Sequence, residues 1–141
     1  MSAVDSRNVV HIRESGNGPY GQVVTVGHHV FGADEPGGQG GHDTGPDPFE
    51  LLMAGLGACT VMTVRMYAAR KNMPLTDVSC TVRHLRQGPP TPDGKPGNAF
   101  ERRLVLDGPL SDEQRASLLL IAERCPVGRA IEAGVEVVTV G

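Results

Sequence analysis

The chain has the pattern of an α+β protein, with elements in the order β-β-α-β-β-α-α-β and one long helix at the centre. Three features point there: alternating apolar stretches near the N-terminus, a capped apolar run over 47–71, and a second alternating pair followed by another capped helix. At 141 residues one domain, 1–141, is expected. The 19 glycines and 11 prolines predict long loops, short of the share of about 25–30% that marks disorder.

Residues 8–13 (NVVHIR) and 20–31 (YGQVVTVGHHVF) read as strands, with the turn cluster SGNGP at 15–19 between them making a hairpin. ADEPGGQGGHDTGP, 33–46, has no periodicity, and loops of that length are often functional. At Asp47-Pro48-Phe49-Glu50 a helix begins, with Asp47 as N-cap, Pro48 in the first turn and Glu50 closing a capping box. The helix runs to about Lys71, with Asn72 at its end and Pro74 beyond. Its middle, LLMAGLGACTVMTV, is apolar on every face, so it is expected to be buried all round. Such a helix is roughly 36 Å long, against a radius of gyration of about 14–15 Å for one chain of this size. A dimer encloses it more easily.

Residues 76–87 alternate Val78, Cys80 and Val82 against Ser79, Thr81 and Arg83, a strand with one buried face. Residues 88–98 form a long hairpin connection to a strand at 99–107, which runs through Phe100, Leu104 and Leu106. Ser111, with Gln114 three residues on, caps a second helix whose stripe is Leu118, Ile121, Ala122 and Cys125. Pro126 breaks it, because the residue before a proline avoids helical backbone. A short helix, 126–133, ends at Gly134, and VEVVTV, 135–140, is the last strand.

Several function classes drop out. A net charge of −3 and the absence of Trp leave neither a basic field nor a stacking platform for nucleic acid. The longest uncharged run, Leu51 to Val64, has 14 residues, below the roughly 20 of a membrane span. MSAVDSRNVV carries no apolar leader, so a cytoplasmic location is expected. His28, His29 and His42 lack metal-ligand spacing, and GGQGGHDTGP lacks the phosphate-loop Lys-Ser/Thr, so neither metal nor cofactor is expected.

Three cysteines do not make a disulfide framework. Cys59, inside the long helix, has packing as its plain reading, since free Cys behaves as a small hydrophobe. Cys125 opens a helix, where unpaired N–H groups favour an anion and lower a thiol pKa. Cys80, on a buried strand face, reads as filler. Glu50 has a sufficient role in the capping box. It stands nine residues, about 2.5 turns, from Cys59, so it would serve a site at Cys59 most simply from a partner subunit.

The run DPFELLMAGLGACTVMTVRMYAARKN, followed by AERCPVGRAI, resembles the OsmC/Ohr family of osmotically inducible and organic hydroperoxide resistance proteins, in an OsmC-like branch. The resemblance rests on Glu50 opening the helix, A-x-L-G-x-C ending at Cys59, and the Cys125-Pro126 dipeptide. It implies an intertwined homodimer with the long helices at its centre and two sites at the subunit interface. It implies a thiol-dependent peroxidase in which Cys59 becomes a sulfenic acid and Cys125 condenses with it to a disulfide. An external dithiol, such as a dihydrolipoyl protein, would reduce that disulfide. The alternative is a dimer of the same fold that binds a small molecule or thiol conjugate without rapid turnover. Family members supply an arginine from the N-terminal strand region. The turn SGNGPYGQ contains none, which leaves Arg13, Arg65 and Arg129 as candidates.

Overall fold

The computed structural model describes residues 9–141. The chain divides into two compact units, one through Leu52 and one from Met53. In the first, β1 (His11–Glu14), β2 (Gln22–Val26) and β3 (His29–Ala33) form an antiparallel sheet in the order β1-β2-β3. The expected strand over 20–31 is therefore two strands. Val26 pairs with His29, leaving Gly27 and His28 as a two-residue loop. Gly27 has φ of 59°, the backbone that a tight hairpin turn demands at its first central position and that glycine adopts without strain. The strand expected at 8–13 is observed as β1 over His11–Glu14, and residue 8 lies outside the described residues.

The loop after β3 is ordered by one carboxylate. Asp34, 3% exposed, accepts hydrogen bonds from the Glu35 amide (2.7 Å), the Thr44 amide (3.1 Å), the Thr44 hydroxyl (2.7 Å) and the His42 amide (3.3 Å). A single 3₁₀ turn, Gly37–Gln39, lies within the span they close. Buried polar groups need partners, and here one side chain serves several loop donors.

Helix α1 spans Pro48–Arg70. Its capping box forms as expected: the Glu50 amide donates to Asp47 Oδ1 (2.8 Å), and the Asp47 amide donates to Glu50 Oε1 (2.9 Å). Asn72 ends it in the left-handed region, φ 54°. By length and hydropathy α1 would suffice to cross a membrane, which the uncharged run alone understates. Its burial is that of a core helix packed on one side. Leu56, Thr60, Val64 and Ala68, spaced four apart, are buried, while Leu52, Met62 and Met66 are exposed. Burial all round is thus not met within one chain, because the rest of the chain packs against a single stripe.

The second unit adds β4 (Asp77–Arg86) and β5 (Ala99–Asp107), an antiparallel pair in which Cys80 faces Leu104 and Val82 faces Arg102. Helix α2 (Asp112–Ala122) carries the expected Ser111–Gln114 capping box. Helix α3 (Pro126–Ala133) starts on Cys125 and ends at Gly134. Val64 and Ala68 of α1, Leu106 of β5, and Leu118 and Ala122 of α2 form the core with Leu75. Arg115 ties α2 to β5 by donating to the Leu106 and Gly108 carbonyls at 2.6 and 3.0 Å.

The strand expected at 135–140 does not form. The segment is irregular and exposed, with Val137 at 82% and Val140 at 87%. Alternation makes a strand only where an edge is open to pair with it, and none of the described ladders includes it.

The Thr44 hydroxyl, ahead of the surrounding amides and against the effect of burial, holds the Asp34 carboxyl below the usual range. A depressed carboxyl stabilises the fold above the unfolded pKa and loses that contribution as pH falls through the folded value. Asp34→Asn, which cannot accept from every one of these donors, is expected to lower the melting temperature at neutral pH. The gap to the wild type should narrow on acidification, as thermal melts across the acidic range will read.

Candidate functional site: a buried sulfur at a helix start

Cys125 is fully buried, and its Sγ accepts the Gly128 amide hydrogen bond at 3.2 Å as the N-cap of α3. The local expectation for this thiol therefore holds. Burial alone would raise its pKa. The Gly128 amide, the neighbouring Cys59 and Thr60 side chains, and the charge of Arg102 together outweigh burial and hold the thiol below its ordinary value.

Cys59 is half-buried on α1 and meets Cys125 side chain to side chain. The structure thus brings together the two cysteines that lie far apart in sequence. Cys59 also lines an apolar cavity of about 650 Å³, with Ala58, Met62, Met66, Tyr67, Ile121 and Pro126 among its walls and Arg70 and Arg124 at its margin. The sulfur that faces the cavity and the sulfur that carries the lowered pKa are different atoms.

The cation beside the sulfur is Arg102, and it was not among the sequence candidates. Its Nη1 donates to Thr60 Oγ1 at 3.1 Å, and the fully buried Thr60 hydroxyl in turn donates to the Leu56 carbonyl at 2.8 Å. Of the three candidates, Arg13 stands exposed on β1. Arg65 is engaged by the Leu75 carbonyl at 2.7 Å, and Arg129 lines an open cleft that Arg102 also borders. A signal for Arg102 was present. Phe100, Leu104 and Leu106 occupy alternate positions of β5, and Arg102 fills the missing place on that inner face.

Gly128 makes the close approach possible. A Cβ there would lie 3.0 Å from Arg102 Nη1, 3.3 Å from Leu56 Cδ1 and 3.4 Å from Cys125 Sγ. Cys80, on the inner face of β4, is half-buried, and burial pushes its thiol up despite Arg102. That agrees with a packing role. Glu50 is held in the capping box described above. Among the described residues no group of three or more His, Cys, Asp or Glu side chains is placed to hold a metal ion.

A family model for OsmC-like proteins matches residues 40–140. A search of the curated proteins finds no match. Among solved structures, an OsmC-like protein from Mycoplasma pneumoniae superposes with a TM-score of 0.72 at 19% identity, over 88% of this chain and 86% of that one. The organic hydroperoxide resistance protein OsmC from Legionella pneumophila gives 0.65 at 25% identity, over 91% and 90% of the two chains. The organic hydroperoxide resistance protein OhrB of Bacillus subtilis gives 0.57 at 24% identity, over 91% and 92%.

Removing the charge at Arg102 isolates its share in the sulfur's ionisation. Arg102→Gln is expected to move the Cys125 titration upward, read as thiolate absorbance against pH in a Cys59→Ser, Cys80→Ser background. Arg103→Gln, on the outer face and paired with Glu101 at 3.6 Å, should leave that titration in place.

Proposed function

The chain belongs to the OsmC-like protein family, and we propose that it is a thiol-dependent peroxidase that reduces organic hydroperoxides in oxidative stress defence. The observation that carries this reading is the juxtaposition of Cys59 and Cys125, of which Cys59 lines an apolar cavity and Cys125 is fully buried. The apolar walls favour a bulky hydrophobic peroxide over hydrogen peroxide.

The steps follow from that geometry. As Cys59 Sγ attacks the outer peroxide oxygen, its proton passes to the neighbouring Cys125 sulfur, reacting in the thiolate form that its lowered pKa favours. The O–O bond breaks, the alkoxide takes up the proton and leaves as an alcohol, and Cys59 becomes a sulfenic acid. Cys125, again a thiolate, attacks the Cys59 sulfur. Hydroxide leaves as water once protonated, and the Cys59–Cys125 disulfide remains. An external dithiol, with a protein-bound dihydrolipoyl group as the candidate, restores both thiols through a mixed disulfide. The Gly128 amide, Thr60 and cationic Arg102 favour the Cys125 thiolate, against the burial that disfavours it.

Within this reading the working form is an intertwined homodimer of one family domain per chain. The exposed Leu52, Met62 and Met66 on α1 and the unpaired 135–140 segment are the surfaces that a second copy would cover. Glu50, 2.5 helical turns from Cys59 by about 3.6 residues per turn, would then act on the partner's site while closing its own capping box.

Cys59→Ser is expected to abolish consumption of cumene hydroperoxide with dihydrolipoamide as reductant. Cys125→Ser should permit one turnover and then over-oxidise at Cys59, and Cys80→Ser should change little. Intact mass after one equivalent of peroxide should show loss of two hydrogens mapped to Cys59 and Cys125. Full activity in Cys59→Ser would overturn the mechanism. Two free thiols after peroxide would point instead to a binding protein of the same fold.

A further inference from the structure

Arg102 pairs with neither of the carboxylates that share its surroundings. Its guanidinium borders a cavity of about 280 Å³, together with Gly128 and Ile131, and a polar cleft of about 580 Å³. Glu132 lines both, and Glu123 lines the cleft. Guanidinium–carboxylate contacts are among the strongest hydrogen-bonded pairs a protein makes. Yet no ion pair among the described residues involves Arg102, Glu123 or Glu132. The guanidinium donates instead to a neutral hydroxyl, Thr60 Oγ1, at 3.1 Å.

The setting of Thr60 accounts for that choice. Thr60 is fully buried, so no water competes for its oxygen. Its hydroxyl hydrogen is committed to the Leu56 carbonyl at 2.8 Å, four residues back, which fixes the side chain and leaves the lone pairs for Arg102. Glu132 is exposed, and an exposed carboxylate gives up water and side-chain freedom to pair, so its pull on the guanidinium is weak. Arg124 and Arg129 stand in the same cleft and compete for the two carboxylates. One preorganised acceptor is enough to decide such a balance. Gly128 leaves room for the result, since a Cβ there would lie 3.0 Å from Arg102 Nη1 and 3.4 Å from Cys125 Sγ, but it has no side chain to hold the cation.

We propose that Thr60 is a positioning residue, whose hydroxyl holds Arg102 at the Cys125 sulfur and keeps the guanidinium from closing on Glu132. The inference rests on the peroxidase reading only for the use made of the thiolate. Every group in it belongs to one chain, so it does not depend on what a second copy covers. Without the Thr60 oxygen, Arg102 turns to the carboxylate, the sulfur loses its cation, and burial makes Cys125 keep its proton to higher pH. Besides Arg102, Cys59 of α1 and Cys80 of β4 face Cys125, and serine replaces both in the test so that a single thiol titrates.

The test is the thiolate absorbance of the reduced protein against pH, in the Cys59→Ser, Cys80→Ser background, with a thermal melt for each variant. Thr60→Val keeps the shape and removes the acceptor, and it should move the Cys125 titration upward. Thr60→Ser should return it to that of the parent. Added to Arg102→Gln, Thr60→Val should shift the titration by less than it does alone, because its effect runs through Arg102. Glu132→Gln should lower the titration more in Thr60→Val than in the parent, since only there is a carboxylate holding the guanidinium. Should Thr60→Val not fold, Thr60→Ala, smaller than the native side chain, carries the same comparisons. A titration left in place while the melt falls would make Thr60 structural only and overturn the proposal. Full additivity with Arg102→Gln, or an equal effect of Glu132→Gln in both backgrounds, would overturn it too. Peroxide plays no part in these measurements. A wild-type protein that keeps both thiols free after peroxide sinks the peroxidase reading and leaves Thr60 to be judged by the titrations.

Discussion

A guanidinium on the inner face of a β-strand must find acceptors there, because burying a charged group without hydrogen-bond partners is costly. Arg102 meets that requirement through Thr60 on α1 and the sulfur that opens α3. One side chain thereby fixes the relation of β5, α1 and α3. The Thr60 hydroxyl, donating to the Leu56 carbonyl, leaves its lone pairs toward Arg102. Gly128 keeps the space clear in which guanidinium and sulfur approach. The network satisfies the buried polar groups and makes the thiol acidic by the same contacts.

The division of labour between the two cysteines follows from where their elements end. Cys125 sits at a helix start, with a free amide aimed at it and a cation beside it, but without access to solvent. Cys59 sits within a helix, far from either terminus, with access to the cavity. Helix-dipole effects fade within a turn, so neither end of α1 acts on the Cys59 sulfur. Placing acidity on the buried sulfur and access on the other yields a nucleophile guarded by a good leaving group. In the proposed peroxidase, the same asymmetry would direct oxidation by peroxide to the Cys59 side. The exposed apolar residues of α1 and the unpaired C-terminal segment are the surfaces that the proposed dimer would cover.

Local chemistry was legible wherever it is set by neighbours in sequence. Both capping boxes, the Asn72 helix end, the break at Pro126, the alternation of β4 and the Gly128 amide's share in the acidity of Cys125 all arise within a few residues and were read from them. The Gly27-His28 hairpin was equally local, but its turn is masked by a continuous apolar and aromatic run. Arg102 needed one further step: it interrupts an apolar face, and such a residue asks for a buried partner that only another element supplies. Asp34 gave no local signal, since its ligands lie up to ten residues away across an aperiodic loop.

The sequence by itself determined which segments are helices, where they stop, and that two cysteines stand in chemically distinct settings, because capping, proline breaks and periodicity act over one or two turns. Only the tertiary structure decided which cation serves the sulfur and that Cys59 faces Cys125, because side chains 66 residues apart meet only when α1 and α3 pack against one another. It also decided that 135–140 forms no strand within this chain. A strand is a property of a pair, and alternation in one segment carries no information about whether an edge awaits it.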